Sequence, residues 1–192
     1  IIFFLLVIIS YSLPAQNLKS GGKLKPEQAI MDIRHYSVVL DVDPVDKAIK
    51  GYTDIDLKLL KSTSTLVFDL WHGLAVSKVS ISGKSQNITH TDDDLLLIHL
   101  AEPLPEGRVK VRVDYSGTPA VAARPPWVGG FQWEKDKQGN PWIAITCQGE
   151  GAKIFFPCKD HPSDEPNEGA DLIITVPKGL VVAGQKKKKK VT

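Results

Sequence analysis

Apolar and polar positions alternate along most of this chain with a period of two, the pattern of strands that bury one face. Between Ile33 and Asp43, Tyr36, Val38, Leu40 and Val42 alternate with His35, Ser37, Val39 and Asp41. Asp43-Pro44-Val45-Asp46 turns the chain. Ile49 to Leu60 then returns with Ile55, Leu57 and Leu59 inward against Asp54, Asp56 and Lys58, which predicts a hairpin with one solvated face. Leu66 to Leu70, Val76 to Ser82 and Leu95 to Leu100 continue the pattern, the last two flanking a polar connection through Asn87 and Asp92-Asp93-Asp94. Arg108 to Tyr115 alternates most regularly, with Val109, Val111, Val113 and Tyr115 on one face. Strands recurring about every ten residues, Gly/Pro/Asp turns and almost no helical period predict an all-β fold, an antiparallel β-sandwich or large curved sheet. Pro26 to Met31 has room for one helical turn.

The texture changes after Tyr115. Ser116 to Gly130 is rich in Gly, Pro and Ala and reads as an irregular loop carrying Arg124-Pro125-Pro126-Trp127. Phe131, Trp133 and Trp142 flank a polar turn at 136–140, a second hairpin that leads into TCQGEGAKIFFPCKDHPSDEP at 146–166. There two strand-like runs, Trp142 to Cys147 and Lys153 to Phe156, border Gly149-Glu150-Gly151, whose glycines permit positive φ or close backbone approach. Gln148 stands at the lip of that turn. Pro157 ends the second run, and Lys159-Asp160-His161-Pro162 reads as a turn whose Asp bonds its own backbone. The segment is either a bulged hairpin with a polar turn or the wall of a site. Phe155, Phe156 and Trp142 are expected to pack the sheet, and His161 to be a hydrogen-bonded turn residue. Leu172 to Val176 and Leu180 to Val182 read as the last strands.

Length and charge narrow the class. At 192 residues the chain is long enough for one sizeable domain or one and a half, and all-β domains commonly fill this length as a single unit. Of its 24 basic residues five are Lys186 to Lys190, so the body has 19 against 22 acidic residues and is mildly acidic. No basic stripe interleaved with aromatics remains, which argues against nucleic acid as a partner. IIFFLLVIISYSLPAQ is too short for the roughly 20 residues of a membrane span and fits a secretory leader over 1–15, cut after Leu13-Pro14-Ala15 and lacking its initiator Met and basic start. Residues 16–31 follow as a linker, 32–184 as the β domain, and 185–192 as a lysine-rich tail read as a truncation artefact. An exported context permits a disulfide between Cys147 and Cys158, the two cysteines present; their apolar surroundings favour two free thiols. Two cysteines without clustered histidines make no structural zinc site.

Three landmarks carry a resemblance: IRHYSVVLDVDPVDKAIKGYTDIDLKLL near the start, VRVDYSGTP leading to GGFQW at 129–133, and TCQGEGAKIFFPCKDHPSDEP followed by DLIITVPKGLVVAG. From about Asp32 to Gly184 the chain resembles the N-terminal domain of the aminopeptidase N family, gluzincin zinc metallopeptidases whose N-terminal domain is a saddle of β-structure. The third landmark is the most specific, matching Gln148, Lys153, Phe155-Phe156, Pro157-Cys158 and Asp160 to the family pattern. The resemblance implies removal of N-terminal residues from peptides by a zinc-activated water, with zinc held by an H-E-x-x-H helix and a distant Glu. It also implies that a Gln or Glu of this domain, here Gln148, anchors the α-amine of the substrate, with Gly149, Glu150 and Gly151 as possible pocket wall. An amide oxygen suits that task by accepting from an ammonium. His161 and Asp164-Glu165-Pro166 are similar to a secreted bacterial branch, which implies a periplasmic or extracellular location.

The departures limit what this chain does alone. His35, His72, His90, His99 and His161 include no H-E-x-x-H pair, and Met31 cannot belong to the family's G-x-M-E-N strand. The zinc domain is therefore expected to be missing, the fragment to be inactive and to bind no zinc itself, and its partners to be a peptide N-terminus and the catalytic domain of the same protein. Asn87-Ile88-Thr89 matches a glycosylation acceptor, of little meaning in a bacterial export product. The rival reading is a secreted β-sandwich binding module in which Trp127, Trp133 and Trp142 form a platform for glycan or protein.

Overall fold

The computed structural model describes residues 20–184. The leader over 1–15 and the lysine run lie outside the described residues. In chain order the elements are α1 (Pro26–Ala29), β1 (Met31–Asp43), β2 (Ala48–Leu59), β3 (Thr63–Asp69), β4 (Leu74–Ile81), β5 (Lys84–Ser85), β6 (Asn87–His90), β7 (Leu95–Leu104), β8 (Gly107–Gly117), β9 (Gly130–Lys135), β10 (Pro141–Thr146) and β11 (Ala170–Thr175). They form a six-stranded sheet in the order β11-β1-β2-β8-β4-β5, a three-stranded sheet β3-β7-β6 and a ribbon of β9 and β10.

The expected all-β architecture is present, and alternation explains its core. Tyr36, Val38, Leu40 and Val42 of β1, Ile55, Leu57 and Leu59 of β2, and Val111, Val113 and Tyr115 of β8 are buried together with Leu66 and Phe68 of β3 and Leu96 and Ile98 of β7. The apolar faces of the two larger sheets thus close on one another, each burying what the other would leave wet. Ile33 has the opposite parity to Val38, yet it is fully buried, because the pairing of β1 with β2 shifts register between Ile33 and His35. The turn between β1 and β2 is closed by Asp43, whose Oδ1 accepts from the backbone N–H of Val45 at 2.8 Å and of Asp46 at 3.1 Å. On the outer face Arg112 donates to both oxygens of Asp54, directly across from it, at 2.7 and 2.6 Å, and lies 4.0 Å above the ring centre of Tyr52.

Four expectations change. The main sheet is mixed, since β11 pairs parallel with β1 from Tyr36↔Ala170 to Asp41↔Thr175 while its other ladders are antiparallel. Leu180 to Val182 forms no strand; Val181 and Val182 are exposed and Leu180 N–H closes a turn onto Pro177 O at 3.1 Å. The polar connection before β7 holds β5 and β6, whose mostly exposed side chains hide them from an alternation reading. From Ser20 onward the stretch read as linker is seated on the body, with Gln28 buried in the short α1 turn.

Candidate functional site

β10 delivers the chain to the turn that carries Gln148. After Thr146, Gly151 N–H donates to Cys147 O at 2.9 Å and Glu150 N–H to the same oxygen at 3.3 Å. Gly149 and Gly151 take φ of 77° and 79°, the left-handed region that favours glycine. Gln148 is exposed at the tip, while Gly149, Glu150 and Gly151 are half-buried. Gly129 passes close beneath: a Cβ there would overlap the Thr146 carbonyl and lie 3.1 Å from the Gln148 carbonyl oxygen and 3.2 Å from Glu150 Cγ. The turn therefore rests on backbone and presents the Gln148 amide, whose oxygen is a hydrogen-bond acceptor.

The expected second strand does not form. Residues Ala152–Ile154 make a 3-10 turn, so the bulged hairpin between 142–147 and 153–156 is replaced by a sharp bend. Its cause is burial on several sides at once. Lys153, Ile154 and Phe156 are all buried, which a two-faced strand cannot arrange, and Phe155 carbonyl accepts from Tyr115 Oη at 3.0 Å. Thr53 Oγ1, 3.1 Å from the same hydroxyl, completes a chain from β2 through β8 to the bend. Phe156 meets Tyr36 edge-on at 5.4 Å between ring centres.

Charged side chains hold the segment on the body. Lys153 Nζ is 3.3 Å from Asp94 Oδ2, and Asp94 Oδ1 accepts from His72 N–H at 3.0 Å and stands 2.8 Å from His72 Nδ1. Burial pushes the Asp94 carboxyl up, but the hydrogen bonds from His72 and the Lys153 charge outweigh it and hold it below the ordinary aspartate value. Lys159, also buried, donates to Met31 O at 2.7 Å and to Asp164 Oδ1 at 3.2 Å. Burial lifts Asp164 above its usual value despite that lysine, and its buried Oδ2 has no hydrogen-bond partner. Asp69 gathers Lys25 Nζ at 3.3 Å, Gln28 Nε2 at 2.5 Å and the backbone N–H of Asp160 at 3.0 Å. Its own backbone exchanges two hydrogen bonds with Cys158, at 2.7 and 3.0 Å.

Other expectations divide. Cys147 and Cys158 are free thiols, and burial pushes both up in pKa, Cys158 strongly. His161 is a hydrogen-bonded turn residue, its Nδ1 2.7 Å from Ser163 Oγ. The expectation that Asp160 bonds its own backbone is corrected: its Oδ1 accepts from Ser20 Oγ at 2.9 Å, because the chain ahead of α1 reaches it first. Trp142 does not pack the sheet; it is 64% exposed, on the opposite face of the ribbon from Phe131, Trp133 and Ile143, which join the core. Trp127 is 62% exposed. Among the described residues no three His, Cys, Asp or Glu side chains come together to hold a metal. No described helix is long and apolar enough to cross a membrane. Sequence reasoning missed Asp69, Asp94 and Asp164 as anchors. A carboxylate inside the apolar run Leu66 to Leu70 is the one signal that marks Asp69.

The family model of the peptidase M1 N-terminal domain matches residues 33–190. Among solved structures the chain is similar to an M1 zinc metallopeptidase from Deinococcus radiodurans. A mutant of that enzyme bound to a Tyr-Ser-Ala substrate aligns at 26% identity and a TM-score of 0.61, over 83% of this chain and 37% of that one. The unmutated enzyme aligns at 25% identity and 0.60, over 82% and 36%. Native leukotriene A4 hydrolase from Saccharomyces cerevisiae aligns at 20% identity and 0.61, over 78% and 24%, a likeness of fold. The chain thus spans little more than a third of the length of the Deinococcus enzyme and about a quarter of the yeast one. Comparison with curated proteins gives no match.

Proposed function

Because the chain belongs to the peptidase M1 family through its N-terminal domain, we propose that it is the substrate-anchoring part of a secreted zinc aminopeptidase that removes N-terminal residues from peptides. The observation that carries the proposal is Gln148, exposed at the tip of a turn that is formed by two positive-φ glycines and packs closely over Gly129. In this reading Gln148 accepts a hydrogen bond from the substrate's α-ammonium, and Gly149, Glu150 and Gly151 line the wall beside it. The peptide bound by the Deinococcus relative is consistent with such a substrate. Zinc and the water it activates belong to a catalytic domain that completes the protein, and export precedes activity.

The test compares a peptide with its N-acetylated form in the full-length protein. Gln148→Ala raises KM for the free peptide roughly tenfold, the worth of about one hydrogen bond to a charged group, and leaves the blocked peptide unchanged. Equal loss on both peptides overturns the anchor. The 192-residue chain incubated with zinc and aminoacyl amides releases no N-terminal residue; zinc-dependent release would sink the division of labour.

A second reading, a β-sandwich binding module, is favoured by the exposed rings of Trp127 and Trp142. Micromolar binding of a glycan or peptide by this chain alone, lost in Trp142→Ala, would support it over the first.

A further inference from the structure

The carboxylate of Asp160 joins the start of the described chain to the turn that carries Gln148. Ser20 Oγ donates to its Oδ1 at 2.9 Å, and Gly21 N–H donates to its carbonyl at 3.3 Å. Its backbone N–H donates to Asp69 Oδ2, the oxygen that Gln28 also reaches. On the other side the carboxylate fills the space beside Gly151, where a Cβ would overlap Asp160 Cγ and both oxygens. Gly151 is also the residue whose N–H closes the turn onto Cys147. The group that receives Ser20 is thus packed against the hinge of the turn.

We propose that Asp160 is the positioning residue of the Gln148 turn, acting through Gly151, and that gain of a proton by Asp160 shifts the turn. Its effect on substrate rests on the amine-anchor reading; the coupling of carboxylate to turn does not. The groups that face Asp160 are Ser20 and Lys25 ahead of α1, Asp69 of β3, Lys153 of the 3-10 turn, and the thiols Cys147 and Cys158. Burial pushes the carboxyl up and Asp69 adds to it, while the Ser20 hydroxyl and the charges of Lys153 and Lys25 oppose, with a net rise above the ordinary aspartate value. Both thiols, pushed up by burial, stay protonated near neutrality and add no charge there. A neutral Asp160 gives up the charge-assisted part of its bond with Ser20 and its attraction to Lys153, two residues beyond Gly151, while its carboxyl still packs against Gly151. A peptide ammonium keeps its own proton throughout this range, so loss of amine affinity on acidification would report the protein and not the substrate.

The test is a pH titration by NMR of the labelled 192-residue chain, its Asp160→Asn variant and its Ser20→Ala variant, read at the Asp160 side-chain carbon and the amides of Cys147 to Gly151. The turn amides are expected to follow the Asp160 midpoint, above that of an exposed aspartate; the step disappears in Asp160→Asn and moves upward in Ser20→Ala. Amides of Val111 and Val113 that stay unchanged verify the fold of each variant. Turn amides that ignore the Asp160 midpoint, or keep their step in Asp160→Asn, overturn the proposal. If Asp160→Asn does not fold, Ser20→Ala decides, and an unmoved midpoint overturns it. The peptide comparison with Gln148→Ala is independent, so failure of the anchor and failure of the coupling are told apart.

Discussion

Lys153 Nζ lies 3.3 Å from Asp94 Oδ2, with the two side chains 10% and 13% exposed. The pair joins the bend after the Gln148 turn to the loop that precedes β7, and Trp71 N–H adds a bond to Lys153 O at 2.9 Å. Breaking a buried pair leaves one charge without its partner, so Lys153→Ala lowers stability by about 3 kcal/mol. Urea unfolding measures it, and a loss below about 1 kcal/mol would show that the pair is solvated in solution.

Acid exposes the sign of the Asp94 contribution. Its folded pKa lies below the unfolded one, so its stabilisation is present above the unfolded value and fades as pH falls through the folded value. Asp160 and Asp164 are raised, and their contributions run the other way: present below the unfolded value and lost as pH rises through the folded one. Wild type should therefore exceed Asp94→Asn in melting temperature by a margin that is constant above about pH 5 and narrows below about pH 4. A margin that does not change with pH would remove Asp94 from the acid response.

Two glycines with positive φ separate conformational strain from collision. Gly139 has φ of 87° with open space where a Cβ would sit, whereas Gly151 has φ of 79° and faces the Asp160 carboxylate. Gly139→Ala costs about 1 kcal/mol from the left-handed backbone alone. Gly151→Ala costs clearly more and perturbs the Cys147 to Gly151 amides. Equal losses in chemical denaturation would mean that the carboxylate moves aside freely.

The ribbon offers a contrast within a few residues. Phe131 is 1% exposed and stacks on Trp133 at 5.3 Å, while Trp142 is 64% exposed. Phe131→Ala should cost about 3–5 kcal/mol. Trp142→Ala should stay within about 0.5 kcal/mol. A large loss at Trp142 in thermal unfolding would place its ring against protein in solution.

What could be read from sequence follows from how local each cause is. β1, β2 and β8 announce themselves because one face of each is apolar over several alternations and the other carries Asp, Lys or Arg. The turn at Asp43 is equally local. β5 and β6 are mostly exposed, so no alternation marks them, and Leu172 to Ile174 is a continuous apolar run that does not reveal its parallel pairing. The bend at Lys153 reads as a strand in sequence because an aliphatic-aromatic run fits both. The Gln148 turn was visible from its glycines, but its supports were not. Asp69 and Asp160 are 91 residues apart, and Lys159 reaches Met31 across 128.

The parallel pairing of β11 with β1 has a consequence for how the chain is made. Arg34 and Glu168, beside the start of that ladder, are separated by 134 residues. During vectorial synthesis, at about 5–20 residues per second, β1 can pair with β2 early and then waits with its other edge open for the rest of the domain to emerge. The last ladder to close is the one with the largest loop-closure entropy, so its formation is expected to set the slowest step of folding. Until then the backbone of β1 is a template for any strand in its vicinity, which makes this edge the place where the nascent chain most needs protection.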